Sequence, residues 1–305
     1  MIVVASANGD VGIDAAWEVL AGGGSALDAV EAGTRLVEDN PLDHTVGYGG
    51  YPNLLGEVEL DASIMEGATR RAGTVGGLRG YRAAITVARA VMERLPHVLV
   101  AGEGAARLAA EIGLVAEDLL TDAARATWEA GLAGTLAGEG TTADVMLSRV
   151  ASLATDPERA AGTVNFIAQD GAGHLASAVS TSGWAWKYPG RLGDSPVIGA
   201  GNYCDDRYGA AACTGWGELS LRALTARSVV ASLAAGASLV GACAAAMHDL
   251  ATLGIPSADV LMHLVAVDAG GGHHGVTTRS SGATYVWRGD GMSSYEVAPR
   301  TVVPV

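Results

Sequence analysis

The sequence predicts an α+β fold in which strands pair mainly antiparallel and helices form outer layers around stacked sheets. Two observations carry this. Strand-like runs follow one another directly, without the regular helix between strands that a parallel sheet requires. Helical patterns come instead in groups, near the start and again at about residues 217–253. No repeat of fixed period runs through the chain, so solenoid architectures are not expected.

Ile2 to Ala5 is an apolar run suited to a first buried strand, and a helix from Gly12 to Leu20 ends at Gly22-Gly23-Gly24. Ser25 caps a second helix, in which Ala26, Leu27, Val30, Leu36 and Val37 make the apolar face and Asn40-Pro41 the stop. Between Val46 and Val75 glycine punctuates strand-like pieces. Leu54 to Ile64 reads as a hairpin turning near Gly56, and Gly73 to Gly77 as another short strand. Tyr81 to Arg94 is helical up to Pro96, and Glu103 to Ile112 is an amphipathic helix.

The stretch from about Asp118 to Ala161 reads as a surface connector, helical at Arg125 to Glu129 and a mobile loop from Gly131 to Thr142. Beyond it the strand signal sharpens. Thr163 to Gln169 and His174 to Thr181 flank the turn Asp170-Gly171-Ala172-Gly173, a hairpin that sets Thr181 opposite Thr163. Gly209 to Thr214 is a strand, Gly217 to about Leu233 one long helix, and Leu239 to Leu253 a second. Val260 to Asp268, Gly275 to Thr278 and Ala283 to Arg288 close the chain as strands.

The chain has 305 residues and 49% hydrophobic content, enough for a large buried core. Its 43 glycines are too aperiodic for a collagen-like chain. A net charge of −14 argues against a nucleic-acid face, and no basic amphipathic helix points to a membrane. Met1 to Ser6 lacks the charged flank and length of a secretion signal, and no apolar run is long enough to span a bilayer. Cys204, Cys213 and Cys243 form an odd set without metal spacing, as expected in a reducing cytoplasm. His273-His274 on a strand would point to opposite faces, so no metal site is expected there.

Chemistry concentrates between Gly162 and Glu218. A threonine hydroxyl is a weak nucleophile without a base. Cleavage after Gly162 would give Thr163 a free α-amine, with a pKa of about 7.7–8.0, beside its own hydroxyl. Glycine at position 162 would permit the strained backbone that an N-to-O acyl shift needs. Arg191 and Asp194 lie in the loop Pro189-Gly190-Arg191-Leu192-Gly193-Asp194-Ser195-Pro196. Their charges suit the α-carboxylate and α-ammonium of one amino acid, while a local salt bridge is the commoner use of such a pair. Thr214-Gly215, between a strand and a helix start, offers donors for an oxyanion, or simply a helix cap. His44 reads as a structural or pocket-wall residue.

Gly162-Thr163-Val164, Ser180-Thr181-Ser182-Gly183, Pro189 to Gly201 and Ala212-Cys213-Thr214-Gly215-Trp216-Gly217-Glu218 together resemble the glycosylasparaginase and plant-type asparaginase family of N-terminal nucleophile hydrolases. Gly24 to Gly33 is similar to that family's second helix, and Val46 to Met65 looks more like the glycosylasparaginase branch. The resemblance implies a four-layer αββα sandwich and self-cleavage into an α subunit, residues 1–162, and a β subunit, residues 163–305, forming one domain. It implies Thr163 as nucleophile, Thr181 as its support, Thr214 and Gly215 as oxyanion hole, and Arg191 and Asp194 as substrate clamp, with Gly217 shaping the turn. No cofactor or metal is implied. The expected activity is hydrolysis of the side-chain amide of asparagine derivatives, most like N4-(β-N-acetylglucosaminyl)-L-asparaginase. The alternatives are a β-aspartyl peptidase with asparaginase activity and an uncleaved amino-acid-binding protein. A homodimer of cleaved pairs is expected. Two departures stand out. Ala161-Gly162 replaces the His-Asp of glycosylasparaginases, removing an Asp that assists cleavage, and Ala5-Ser6-Ala7-Asn8-Gly9 replaces their Thr-Trp pair.

Overall fold

The computed structural model describes residues 1–135, 162–279 and 282–305. In chain order its strands are β1 (Ile2–Ser6), β2 (Leu60–Glu66), β3 (Ala72–Leu78), β4 (Leu99–Ala101), β5 (Val164–Gln169), β6 (Leu175–Thr181) and β7 (Asn202–Asp205). Then follow β8 (Gly209–Gly215), β9 (Met262–Asp268), β10 (His273–Thr277), β11 (Thr284–Gly289), β12 (Glu296–Pro299) and β13 (Thr301–Val302). The helices are α1 (Asp10–Ala21), α2 (Ala26–Glu38), α3 (Ala84–Arg94), α4 (Glu103–Glu111), α5 (Asp122–Thr135), α6 (Gly217–Ala223), α7 (Thr225–Ala234) and α8 (Leu239–Asp249).

The strands form two sheets, ordered β12-β11-β1-β5-β6-β2-β3-β4 and β13-β10-β9-β8-β7. Most pairs are antiparallel; β3–β4 and β10–β13 are parallel. Three apolar layers bind four structural ones. Val3, Ala5, Phe166 and Ala178 on one face of the large sheet pack with Ile13, Val30 and Ile85 of the first helices. Val4, Ile167 and Val179 on its other face meet Ala210, Ala212 and Val265 of the small sheet. Ala211, Cys213 and Leu264 then pack outward against Val229, Cys243 and Met247. This is the αββα sandwich, and it shows why the central strands are apolar throughout: neighbouring residues serve opposite faces, and both faces are covered.

The single phenylalanine, Phe166, pins β5 from its helix side. A Cβ on Gly33 would lie 2.7 Å from its ring, and one on Gly9 3.2 Å. The ring therefore occupies a slot that only glycines leave open, three residues after Thr163.

Several local expectations are corrected. Leu54 to Ile64 is not a hairpin. Residues around Gly56 form a turn whose amides, at Leu55 and Glu57, are held by the Asn53 side chain, and β2 pairs with β3. The long helix from Gly217 to Leu233 is two helices, because Leu224 adopts a left-handed conformation with φ of 50°. Beyond that break, Ala226 and Arg227 donate their amides to Ala200 O and Gly199 O, so a tertiary partner replaces the helix ladder. Gly131 to Thr135 is helical within α5, while the rest of the expected loop lies outside the described residues. The helix expected to reach Leu253 stops at Asp249 and continues as a 3-10 turn. The short strands β4, β7, β12 and β13 were not foreseen. Ser25 does cap α2, in a reciprocal box with Asp28.

Candidate active site

Three strand ends meet on one side of the sandwich. Thr163 precedes β5, Thr181 closes β6, and Thr214-Gly215 closes β8 of the other sheet. The β5–β6 register, Val164 opposite Ser180, carries Thr163 to Thr181, and their hydroxyls lie 3.3 Å apart. The Thr181 hydroxyl is also 3.0 Å from Gly162 O and accepts from Gly183 N at 2.9 Å. One hydroxyl thus donates to the carbonyl preceding Thr163 while accepting from Thr163 itself. That arrangement polarises the Gly162–Thr163 peptide and orients the Thr163 hydroxyl beside it.

Gly162 is needed here for clearance. A Cβ at this position would fall 2.0 to 2.1 Å from Thr45 side-chain atoms, and Gly162 is not among the positive-φ residues. Close approach to Thr45 is thus a second reason for glycine at this position. Thr45 is fixed by Asp43, whose carboxylate accepts from Thr45 N at 2.9 Å and from the Thr45 hydroxyl. Asn8 Nδ2 donates to the same carboxylate at 2.8 Å, and Ser6 Oγ donates to Asn8 Oδ1 at 2.7 Å. This chain of polar groups was missed in the sequence. Ser6, Asn8, Asp43 and Thr45 sit in two separated segments with no shared motif.

Arg191 and Asp194 come together, but not as each other's ion pair. Arg191 donates through Nε and Nη2 to Glu218 at 2.9 and 2.8 Å, and its guanidinium lies 4.6 Å from the Trp184 ring centroid. Asp194 is buried, and its Oδ2 has no hydrogen-bond partner. Burial pushes its carboxyl up to about 6, against the pull of Arg191. A desolvated acceptor beside an already committed arginine is what an incoming ammonium would complete. Gly217 keeps this space open: a Cβ there would stand 2.7 Å from Asp194 Oδ1 and 3.4 Å from Arg191 Nη2. Glu218 stood in the motif without a role; the structure makes it the partner that aims Arg191.

Gly215 has φ of 113°, and a Cβ would lie 2.4 Å from Leu261 O, so the turn after β8 accepts no side chain. Thr163, Thr181, Arg191, Asp194, Gly215 and Gly217 border one small cleft. Thr163, Thr214 and Gly162 also border a larger cavity of about 710 Å³, walled by Asp43, His44 and Arg300 among others. His44 lines it while its ring stacks on Tyr51 and bonds Gly49 O, joining the two roles expected for it. Thr163 stands where the two spaces meet.

Behind the clamp lies a second buried group of charges. Lys187 Nζ donates to Glu59 O at 3.0 Å with Glu59 Oε2 at 3.9 Å, and Asp61 is fully buried nearby. Burial lowers the Lys187 ammonium and raises the Asp61 carboxyl.

A family model described as asparaginase matches residues 10–295. The chain is 40% identical over 235 residues to the N(4)-(β-N-acetylglucosaminyl)-L-asparaginase of Elizabethkingia miricola, covering 77% of this chain and 64% of that relative. It is 40% identical over 246 residues to the isoaspartyl peptidase of Salmonella typhimurium, covering 79% and 76%. It is 36% identical over 274 residues to the plant-type L-asparaginase of Pyrococcus furiosus, covering 90% and 86%. The match to the first of these thus falls just short of two thirds of that relative's length.

Proposed function

This chain belongs to the asparaginase family, and we propose that it is an amidohydrolase of aspartate β-amides that first cuts itself between Gly162 and Thr163. The observation that carries this is the Thr163–Thr181–Gly162 contact: two hydroxyls 3.3 Å apart, one of them 3.0 Å from the carbonyl to be attacked. Thr163 Oγ adds to the Gly162 carbonyl carbon, the C–N bond breaks to leave an ester, and water hydrolyses it. Thr163 emerges with a free amine.

In the processed protein that amine takes the hydroxyl proton as Thr163 Oγ attacks the substrate β-carbonyl. Thr214 and Gly215 stabilise the oxyanion, the departing amine receives the proton, and water releases aspartate from the β-aspartyl ester. Arg191 holds the α-carboxylate and Asp194 the α-ammonium. The cleft they border is about 10 Å³ in the uncut chain, room for roughly one water. Gly162 borders it too, so release of the leader after scission opens the space a substrate needs.

The activity is most like that of N4-(β-N-acetylglucosaminyl)-L-asparaginase. A β-aspartyl peptidase with asparaginase activity is the second reading, favoured by the small polar Ser6 and Asn8 on the wall of the larger cavity. Rates on GlcNAc-Asn, β-aspartyl dipeptides and free asparagine separate the two. Intact mass tests the chemistry: fragments meeting at Gly162/Thr163 support it, and a persistent full-length chain opposes it. We place the enzyme in the cytoplasm as a homodimer of cleaved pairs. All three cysteines are free thiols, which supports the first; light scattering tests the second. Among the described residues no helix is long and apolar enough to cross a membrane.

A further inference from the structure

The larger cavity is bordered by a buried cation that the hydrolytic chemistry does not use. Arg300, at the joint between β12 and β13, is 8% exposed and borders the same space as Thr163, Thr214 and His263. Its Nε donates to Thr284 O at 3.0 Å and its Nη1 to Leu264 O at 2.7 Å. Both partners are neutral carbonyls. Among the described residues no carboxylate lies within the 4.0 Å of an ion pair, and Nη2 has no hydrogen bond. Lys187, the other buried cation among the described residues, is treated differently: Glu59 Oε2 lies 3.9 Å from its Nζ. A desolvated guanidinium without an anion is unfavourable unless something supplies one.

His263 adds a second unsatisfied group beside it. It pairs in register with Thr214, adjoins the Leu264 carbonyl that Arg300 binds, and leaves its buried Nδ1 without a partner. Burial, with the nearby Arg300, holds its imidazole down at about 4, so the ring is neutral and can donate one N–H. The carboxylates elsewhere around the cavity do not meet this need. Asp43 is engaged by Asn8 and Thr45, and Asp10 belongs to the start of α1.

We propose that Arg300, seconded by His263, receives a carboxylate carried by the leaving group and is thereby a specificity-determining residue of the amidohydrolase. The inference rests on the proposed reaction in its second reading, the β-aspartyl peptidase, and favours that reading over a neutral sugar leaving group. The aspartyl half of the substrate occupies the Arg191–Asp194 cleft, the scissile carbonyl lies at Thr163, and the departing half extends into the larger cavity. Thr163 Oγ bonds to the side-chain carbonyl carbon, the C–N bond breaks, and the nitrogen takes the proton held by the Thr163 amine and leaves as the amine of an amino acid or peptide. Arg300 binds the carboxylate of that product before and after cleavage. A leaving group with a carboxylate is therefore preferred over a neutral one of the same size.

The test compares β-aspartyl-leucine with β-aspartyl-leucinamide, which differ only in that charge, on the fully processed enzyme. The acid should be cleaved with a kcat/KM roughly ten- to a hundredfold higher, mostly through KM, the range of a charge-assisted hydrogen bond. R300Q should remove that preference by slowing the acid alone, and R300K should retain part of it. Equal wild-type rates on the two substrates, which need no variant, would overturn the assignment. An R300Q enzyme slowed equally on both would do the same, since it marks a purely structural arginine. Failure of processed enzyme to cleave either one while it still cleaves GlcNAc-Asn or asparagine would overturn the proposal alone, and failure on all four would overturn the hydrolase reading with it.

Discussion

Asp194→Asn separates what the clamp does for the ligand from what it does to the fold. The Asp194 carboxyl is raised from an ordinary 3.8 to about 6 because it is buried, and its Oδ2 is unpaired. Between those values the folded chain holds the proton more tightly than the unfolded chain. Stability from this group therefore falls as pH rises through about 4 to 6, and the full penalty is present above that window. A shift of about two units corresponds to about 3 kcal/mol. In an uncleavable Thr163→Ala background, where unfolding involves one chain, adding Asp194→Asn should stabilise by about that amount at about pH 7.5. The gain should vanish near pH 3.5, where the acid is already neutral. Urea titration followed through Trp184 and Trp216, beside the clamp, reads this directly. In the cleavable protein the same change should lower kcat/KM by at least about a hundredfold, because an ammonium loses its carboxylate. No gain at neutral pH, or an equal gain at both, would refute the assignment of Asp194 as an unpartnered buried charge.

Gly162→Ala should slow self-cleavage severely, since its Cβ would overlap Thr45, and Thr45→Gly in the same chain should restore part of the rate; a time course on denaturing gels reads both. Glu218→Gln should weaken the aim of Arg191 and raise KM severalfold, with kcat nearly unchanged in steady-state assays. Phe166→Ala should cost about 3–5 kcal/mol in chemical denaturation, as expected for emptying a buried aromatic slot. Below the limb set by the Thr163 amine, kcat/KM should lose a further component under about pH 6 as Asp194 takes up its proton, and Asp194→Asn should remove that lower component alone.

What the sequence made legible depended on how local the signal was. The Ser25 cap and its helix could be read because Asp28 answers it within one turn. The Thr163–Thr181 pairing could be read because a short hairpin fixes its own register. The layering followed from strands that neighbour each other in sequence. The break at Leu224 could not, since it answers to carbonyls at Gly199 and Ala200 in another segment. Thr45 against Gly162, Glu218 on Arg191, and Arg300 on the cavity that Thr214 also borders are likewise meetings of segments apart in sequence. No spacing rule announces them, and only the closed sandwich brings them together. The strands β4, β7, β12 and β13 are short, and β4, β12 and β13 are largely exposed at sheet edges.

The central claim is that a break before Thr163 creates the reacting group. The most direct measurement is the new N-terminus and the activity, followed together as freshly made chain matures. Hydrolysis of a β-aspartyl amide should appear in proportion to a fragment starting at Thr163 and stay absent from Thr163→Ala. Full activity in chains still joined at Gly162 would contradict the account.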